Sequence, residues 1–191
     1  DAAMQLVDRV VEEETTRKEA EREEALVESE KQAATQEVHA AASSSVRDFI
    51  DSEVAKAKFK KQDAQVGDKT IAMSVFKGLG VDKRSAGNYI VTHLASGKRI
   101  DSYGTLRDAK AAIVRLSLIA DFTGSEESMN KQVDKDTCVQ EIRPLRDNVY
   151  AVTPAIAKMA GNDITATLAE RLDAIADAAK ERLAKRAKKQ G

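Results

Sequence analysis

The chain has 191 residues, a third of them charged, 4% aromatic and none Trp, with a formal net charge of −1. Such a length and profile fit one ordinary domain, or a small domain with helical extensions, and favour long exposed helices over one large compact core. A single Cys138 excludes an intrachain disulfide framework, no run of eighteen apolar residues offers a membrane span, and no secretory signal is visible. The first residue is Asp1 rather than Met, as in a fragment or a processed product.

Residues 1–42 lack Gly and Pro and are dominated by Ala, Glu, Lys, Arg and Gln, which predicts one helix. Residues 1–40 hold twelve Asp or Glu against five Lys or Arg. Met4, Val7 and Val11 start an apolar stripe that lapses across the glutamates and returns at Leu26 or Val27, Ala34 and Val38. So narrow a stripe makes either a charged rod or a helix laid on a partner along an alanine-rich seam, and its heptads are too irregular to assign a coiled-coil order. Ser43, Ser44 and Ser45 predict a break, with Ser45 capping a second helix that runs to about Lys61 and buries Val46, Phe49, Ile50, Val54 and Ala57. Lys56, Lys58, Lys60 and Lys61 suit the negative end of that helix, and are also candidate nucleic-acid contacts.

Residues 70–76 (TIAMSVF) alternate Ile71, Met73 and Val75, as a strand does. Gly78-Leu79-Gly80 lacks the third glycine and the acidic residue of a dinucleotide site, so it reads as a turn leading into a loop through Gly87. Two strands are expected next, residues 89–94 and 99–103, joined by Ala95-Ser96-Gly97. That loop pairs Leu94 with Lys98, Thr92 with Ile100 and Ile90 with Ser102, and directs Ile90, Leu94 and Ile100 to the core. Thr105, with Asp108 three residues on, predicts the start of a helix whose stripe is Leu106, Ala109, Ile113, Leu116 and Ala120.

The run Tyr89-Ile90-Val91-Thr92-His93, Ser96-Gly97-Lys98, Thr105-Leu106 and Asp108-Ala109-Lys110 resembles short hairpin-plus-helix modules in large multidomain proteins of bacteriophages and plasmids. Over residues 89–120 the resemblance implies a phage- or plasmid-type origin and nothing about chemistry, and it brings no catalytic residues; a virion-associated place is an expectation for an assembly component of such origin.

Residues 122–136 read as a loop, with a helical turn near Met129 as a further reading, and residues 137–142 and 148–152 as further strands. Thr153-Pro154 starts a short helix that Gly161 ends. From Ile164 onward Leu168, Leu172, Ile175, Ala179, Leu183 and Ala187 form one helical stripe. The segment from residue 180 on carries six Lys or Arg against one Glu, including Lys185, Arg186, Lys188 and Lys189. The expected organisation is a charged helix over 1–42, a second helix and linker over 43–66, a small α+β domain over 67–163, and an amphipathic helix with a basic tip over 164–191.

No pattern carries catalysis. His39 and His93 lack Cys or His partners at metal-ligand spacing, and the paired glutamates lie on a rod with no cleft. Cys138 fits a strand core position, with a reactive thiol as the other reading. A face holding His93, Arg99, Asp101 and Tyr103 could bind an anion or move a proton, but the outer face of an antiparallel sheet, covered by water, accounts for it as well. The expectation is therefore an α+β, non-catalytic assembly component with no cofactor and no metal. Its partners would be protein subunits or copies of itself, met through Leu168, Leu172, Ile175 and Leu183. The alternative is a nucleic-acid accessory protein using the lysine-rich helix end and the basic tip.

Overall fold

The computed structural model describes the backbone of residues 2–190, and the side chains of residue 11 and residues 14–188. Met4, Val7 and Lys189 thus lie outside the described side chains. The chain divides into two compact units: Ala42–Asp163, and Asp1–Ala41 together with Ile164–Gly191. The class is α+β, with one five-stranded antiparallel sheet and several helices. Among the described residues no helix is long and apolar enough to cross a membrane.

The first helix, α1, runs unbroken from Ala2 to Lys56. The predicted break at residues 43–45 is absent. Ser45 does not cap a new helix: its hydroxyl donates back to the Ala42 carbonyl at 3.1 Å and accepts from Asn162 Nδ2 at 2.7 Å. A serine bonded this way stays helical, because its side chain adds to the backbone ladder rather than replacing it. The apolar face expected beyond the break is present, with Val46 and Ile50 fully buried.

Five strands follow as a meander: β1 (Lys60–Val66), β2 (Lys69–Phe76), β3 (Leu79–Ser85), β4 (Asn88–His93) and β5 (Lys98–Tyr103), ordered β1-β2-β3-β4-β5. The expected linker before residue 66 is therefore largely strand, and the expected loop after Gly80 is β3. Both were hidden because charged residues occupy positions that apolar alternation would mark. Lys77 and Gly78 form the β2–β3 turn with φ of 45° and 79°. Two positive values in succession make the mirror-image turn that matches strand twist. A Cβ on Gly78 would stand 2.0 Å from the Phe122 carbonyl oxygen, so the position also needs the missing side chain.

Between β4 and β5, Ile90 faces Ser102 as expected, but a bulge beyond Val91 makes Thr92 face Arg99 and His93 face Lys98. The turn thus holds four residues, 94–97. The extra residue bends the strand and changes which side chains face inward. Val91 and His93 are buried, and the His93 ring meets Phe122, just past the following helix, edge-on at 6.1 Å between centroids. That helix therefore covers the face assigned above to water. Ile100, set in the bulge, still reaches it and lines a small cavity with Leu116.

Helix α2 (Leu106–Ile119) begins as predicted: Thr105 accepts from the Asp108 amide at 3.0 Å and donates to its carboxylate at 2.7 Å. Ala109, Ala112, Ile113 and Leu116 are buried, while Leu106 remains 40% exposed. Arg115, on the same helix, has no exposed surface. It donates to the carbonyls of Val149 at 3.0 Å and Ala151 at 2.6 Å, and to Thr153 Oγ1 at 2.8 Å.

Beyond α2 come α3 (Glu126–Gln132), α4 (Lys135–Thr137), a π-helical turn (Cys138–Ile142) and a 3-10 turn (Arg143–Arg146). The strands expected over 137–142 and 148–152 do not form. Cys138 is exposed on the π-helical turn rather than set in a strand core. Glu141, from that turn, accepts the Ala155 amide at 2.8 Å and so supplies the N-terminal hydrogen bond of α5 (Pro154–Met159) that Thr153, engaged by Arg115, does not make. The end of α1 joins this half of the unit through Asp51, which accepts from the Tyr150 hydroxyl and from Arg107, each at 2.8 Å.

In the second unit the last helix, α6 (Ile164–Gln190), lies antiparallel along the first part of α1. Arg171 pairs with Glu37, whereas Arg182, further along α6, pairs with Glu23 and Glu30, which stand earlier in α1. The acidic first segment and the basic last segment thus neutralise one another along a seam that contains Ala34, Val38 and Ile164, all buried.

Candidate functional site

Two surfaces carry chemistry, one in each unit. The first arises from the sheet. β1 and β2 stay paired along their whole length, Lys60 with Val75 through Val66 with Lys69. β3 and β4 likewise pair as far as Ser85 and Asn88. β2 and β3, however, pair only over residues 74–76 and 79–81. Beyond Ser74 and Val81 the two hairpins part, and a cleft of about 390 Å³ opens between them. It is lined by the apolar residues Ala72, Met73, Val81, Tyr89 and Leu106 and by Lys61, Ser74, Asp82 and Lys83. Met73 is 2% exposed, so this end of the cleft is part of the core.

Asp82 is 5% exposed. Its Oδ2 forms an ion pair with Arg84 Nε, and its Oδ1 is buried without a hydrogen-bond partner. Buried carboxylate oxygens are usually satisfied, because an unmade bond forfeits the desolvation penalty of the group. The Lys83 ammonium stands 5.9 Å from the centre of the Tyr89 ring, within cation–π range. Sequence reasoning missed this site because residues 81–87 were read as loop. The signal available was Asp82 between Val81 and Lys83, a charge in an otherwise strand-like run.

The second surface is the α1–α6 pair. Arg182 donates from Nε to Glu23 at 2.6 Å, and its two terminal nitrogens meet the two Glu30 oxygens at 3.2 and 3.0 Å. Those bonds, to Glu23 first and Glu30 second, raise the guanidinium further above its ordinary pKa. Arg186 Nη1 lies 3.0 Å from the other oxygen of Glu23, an ion pair whose alignment falls short of a hydrogen bond. Leu168, Leu172 and Ile175 are half-buried, and Leu183 is 49% exposed. On α1, Leu26 is 42% and Val11 57% exposed.

The remaining predicted residues do not converge. Lys56 pairs with Glu53 within α1, and Lys58, Lys60 and Lys61 are exposed, with Lys60 and Lys61 adjacent on β1 and so directed to opposite faces. Lys185 pairs with Glu181, and Lys188 is exposed. The His93, Arg99, Asp101 and Tyr103 group is not a site. His93 is buried, with Nε2 donating to the Phe122 carbonyl at 3.1 Å, which leaves Nδ1 to accept from Ser96 at 2.9 Å. Arg99 turns to Ser102, and Asp101 to Arg146 at 3.5 Å. Among the described residues no group of three or more His, Cys, Asp or Glu side chains is placed to hold a metal ion. No protein-family model, curated protein or solved structure matches this chain.

Proposed function

We propose that the chain is a non-catalytic structural component that joins a larger assembly, docking through the α1–α6 pair onto a partner subunit or a second copy of itself. One observation carries the reading. The unit holding this pair is two helices thick, and after they pair Leu168, Leu172 and Ile175 remain half-buried while Leu26 and Leu183 keep 42% and 49% of their surface exposed. Fully burying a Leu or Ile is worth roughly 1.5–3 kcal/mol. A third helix across the open side would collect that gain from several residues at once. The resemblance of residues 89–120 to modules of phage and plasmid proteins accords with an assembly role.

Nucleic-acid binding through the basic tip has less support, because Arg186 and Arg182 are already neutralised by Glu23 and Glu30. The test is light scattering of the purified chain beside the Leu26→Lys, Leu183→Lys double variant. Both side chains are exposed enough that the variant should fold and melt as the wild type does. A wild type that self-associates or captures its partner, and a variant that does neither, is the expected result. A wild type that stays monomeric and binds no co-purifying subunit would refute the proposal.

A further inference from the structure

Strand parity places a row of rings and lysines on one face of the sheet unit. Ser74 faces Val81, which faces Val91, and Phe76 faces Leu79, which faces His93. Leu79, Val81, Val91 and His93 are buried, and α2 packs on β3, β4 and β5, so this is the face beneath α2. Its β1–β2 side stays partly open. Lys61, opposite Ser74, and Lys83, opposite Tyr89, point to the same side, because residues two apart in a strand share a face. Phe59, just ahead of β1, joins them: its ring centre lies 5.3 Å from that of Phe76 and 5.0 Å from the Lys110 ammonium of α2. Lys61, Lys77 and Lys83 are exposed, and the rings of Phe59, Phe76 and Tyr89 are half-buried. None of Lys61, Lys77, Lys83 and Lys110 forms an ion pair among the described residues. Against these four stand Asp63, two residues beyond Lys61, and Asp121 near Lys77, so positive charge is in excess. We infer that this face binds single-stranded nucleic acid, with bases against the rings and phosphates on the lysines.

The spacing selects a single strand. Phe76 stands level with His93, and Tyr89 is four residues from His93 along β4, so the two ring positions are about 13 Å apart. That is several times the roughly 3.4 Å between stacked bases, so bases that reach both rings must be splayed out of a stack. A duplex hides those base faces. In the free chain each ring carries a lysine: Lys110 over Phe59, Lys77 over Phe76 at 5.4 Å, and Lys83 over Tyr89 at 5.9 Å. Such contacts are weak in water, so the ammonium can leave its ring for a phosphate while a base takes the ring. Lysine is a point charge on a flexible stem, which suits a backbone of variable course, and stacking is tolerant of base identity. Asp82, paired with Ile90, points to the other face and takes no part. An acidic peptide would use the lysines and leave the rings idle, and an apolar helix would bury ammonium groups without partners.

The experiment is fluorescence anisotropy of labelled dT and dA strands of about fifteen nucleotides, and of their duplex, titrated with the full chain at several salt concentrations. Both strands should bind with affinities within about tenfold of each other, and the duplex about tenfold or more weakly. Log affinity should fall with log salt at a slope of up to about −2.8, from about 0.7 for each of four neutralised phosphates. Lys61→Gln with Lys83→Gln should make that slope shallower by about 1.4. Tyr89→Leu should weaken both strands about fivefold or more and leave the slope unchanged. Lys185→Gln with Lys188→Gln, in the other unit, should change nothing. Should Tyr89→Leu fail to fold, the strand-to-duplex ratio of the wild type decides. No binding at low salt would overturn the inference. So would duplex bound as tightly as single strand, affinity indifferent to Tyr89→Leu in a folded variant, or binding lost with the Lys185 and Lys188 pair.

Discussion

Arg115 and Tyr103 show how burial sets the behaviour of single groups in the sheet unit. Removal from water lowers the Arg115 pKa from its ordinary value to about 10, a fall resisted by the negative charges of Glu141 and, at high pH, Tyr103. Burial, helped by Asp101, raises Tyr103 from 10.0 to about 12 against the pull of Arg146 and Arg115. The two groups act on stability with opposite sign. Above about pH 10 the unfolded chain holds the arginine proton more firmly, so Arg115 contributes stability as the pH rises. Tyr103 keeps its proton better in the fold, so its contribution is complete below pH 10 and is lost as the pH climbs to about 12. Tyr103→Phe removes that loss and leaves the contribution of Arg115. Unfolding free energies from urea titrations between pH 9 and 12 should fall less steeply in the variant than in the wild type, by about 2 kcal/mol at the upper end. Parallel curves would show that the Tyr103 hydroxyl is not in the environment described.

At the scale of elements, α2 is the test of the packing. Ile113 is fully buried, and Ile113→Asp would place an unpaired carboxylate there at a cost of several kcal/mol against a typical domain stability of about 5–15 kcal/mol. Loss of the cooperative melt in circular dichroism is expected. An unchanged melt would mean that α2 packs elsewhere. This helix was legible in the sequence because its cap and its stripe say the same thing, and the strand over residues 70–76 was legible for its alternation. The face beneath α2 was not. Tyr89-Ile90-Val91-Thr92-His93 carries apolar or amphipathic residues at both parities, so period alone selects no side, and the bulge at Ile100 shifts the register of β5 against it. Ser43, Ser44 and Ser45 failed as a stop signal for a related reason: serine favours a cap only where the chain has cause to turn. The cleft was illegible because it follows from where pairing ends, which no single residue announces.

The division into two units makes a prediction about the whole molecule. Residues 42–163 contain the sheet, α2 and the fully buried Val46 and Ile50, so a fragment of that span should retain a cooperative melt and the far-ultraviolet signature of mixed helix and sheet. A fragment that is unstructured alone would show that the sheet unit depends on the helix pair. The meander also bears on the order in which the fold is acquired. Every strand pairs with its sequence neighbour across a turn of two to four residues. Such local contacts close quickly, because little chain entropy must be surrendered before each is made. The α1–α6 pairing is the opposite case, joining Arg182 to Glu23 across 159 positions of chain. During synthesis the meander can therefore finish while α1 still waits, its acidic face in water, for a helix that the ribosome has yet to release. The abundance of charge along α1 is what such an interval demands, since a long helix kept waiting with an apolar face would aggregate before its mate arrived.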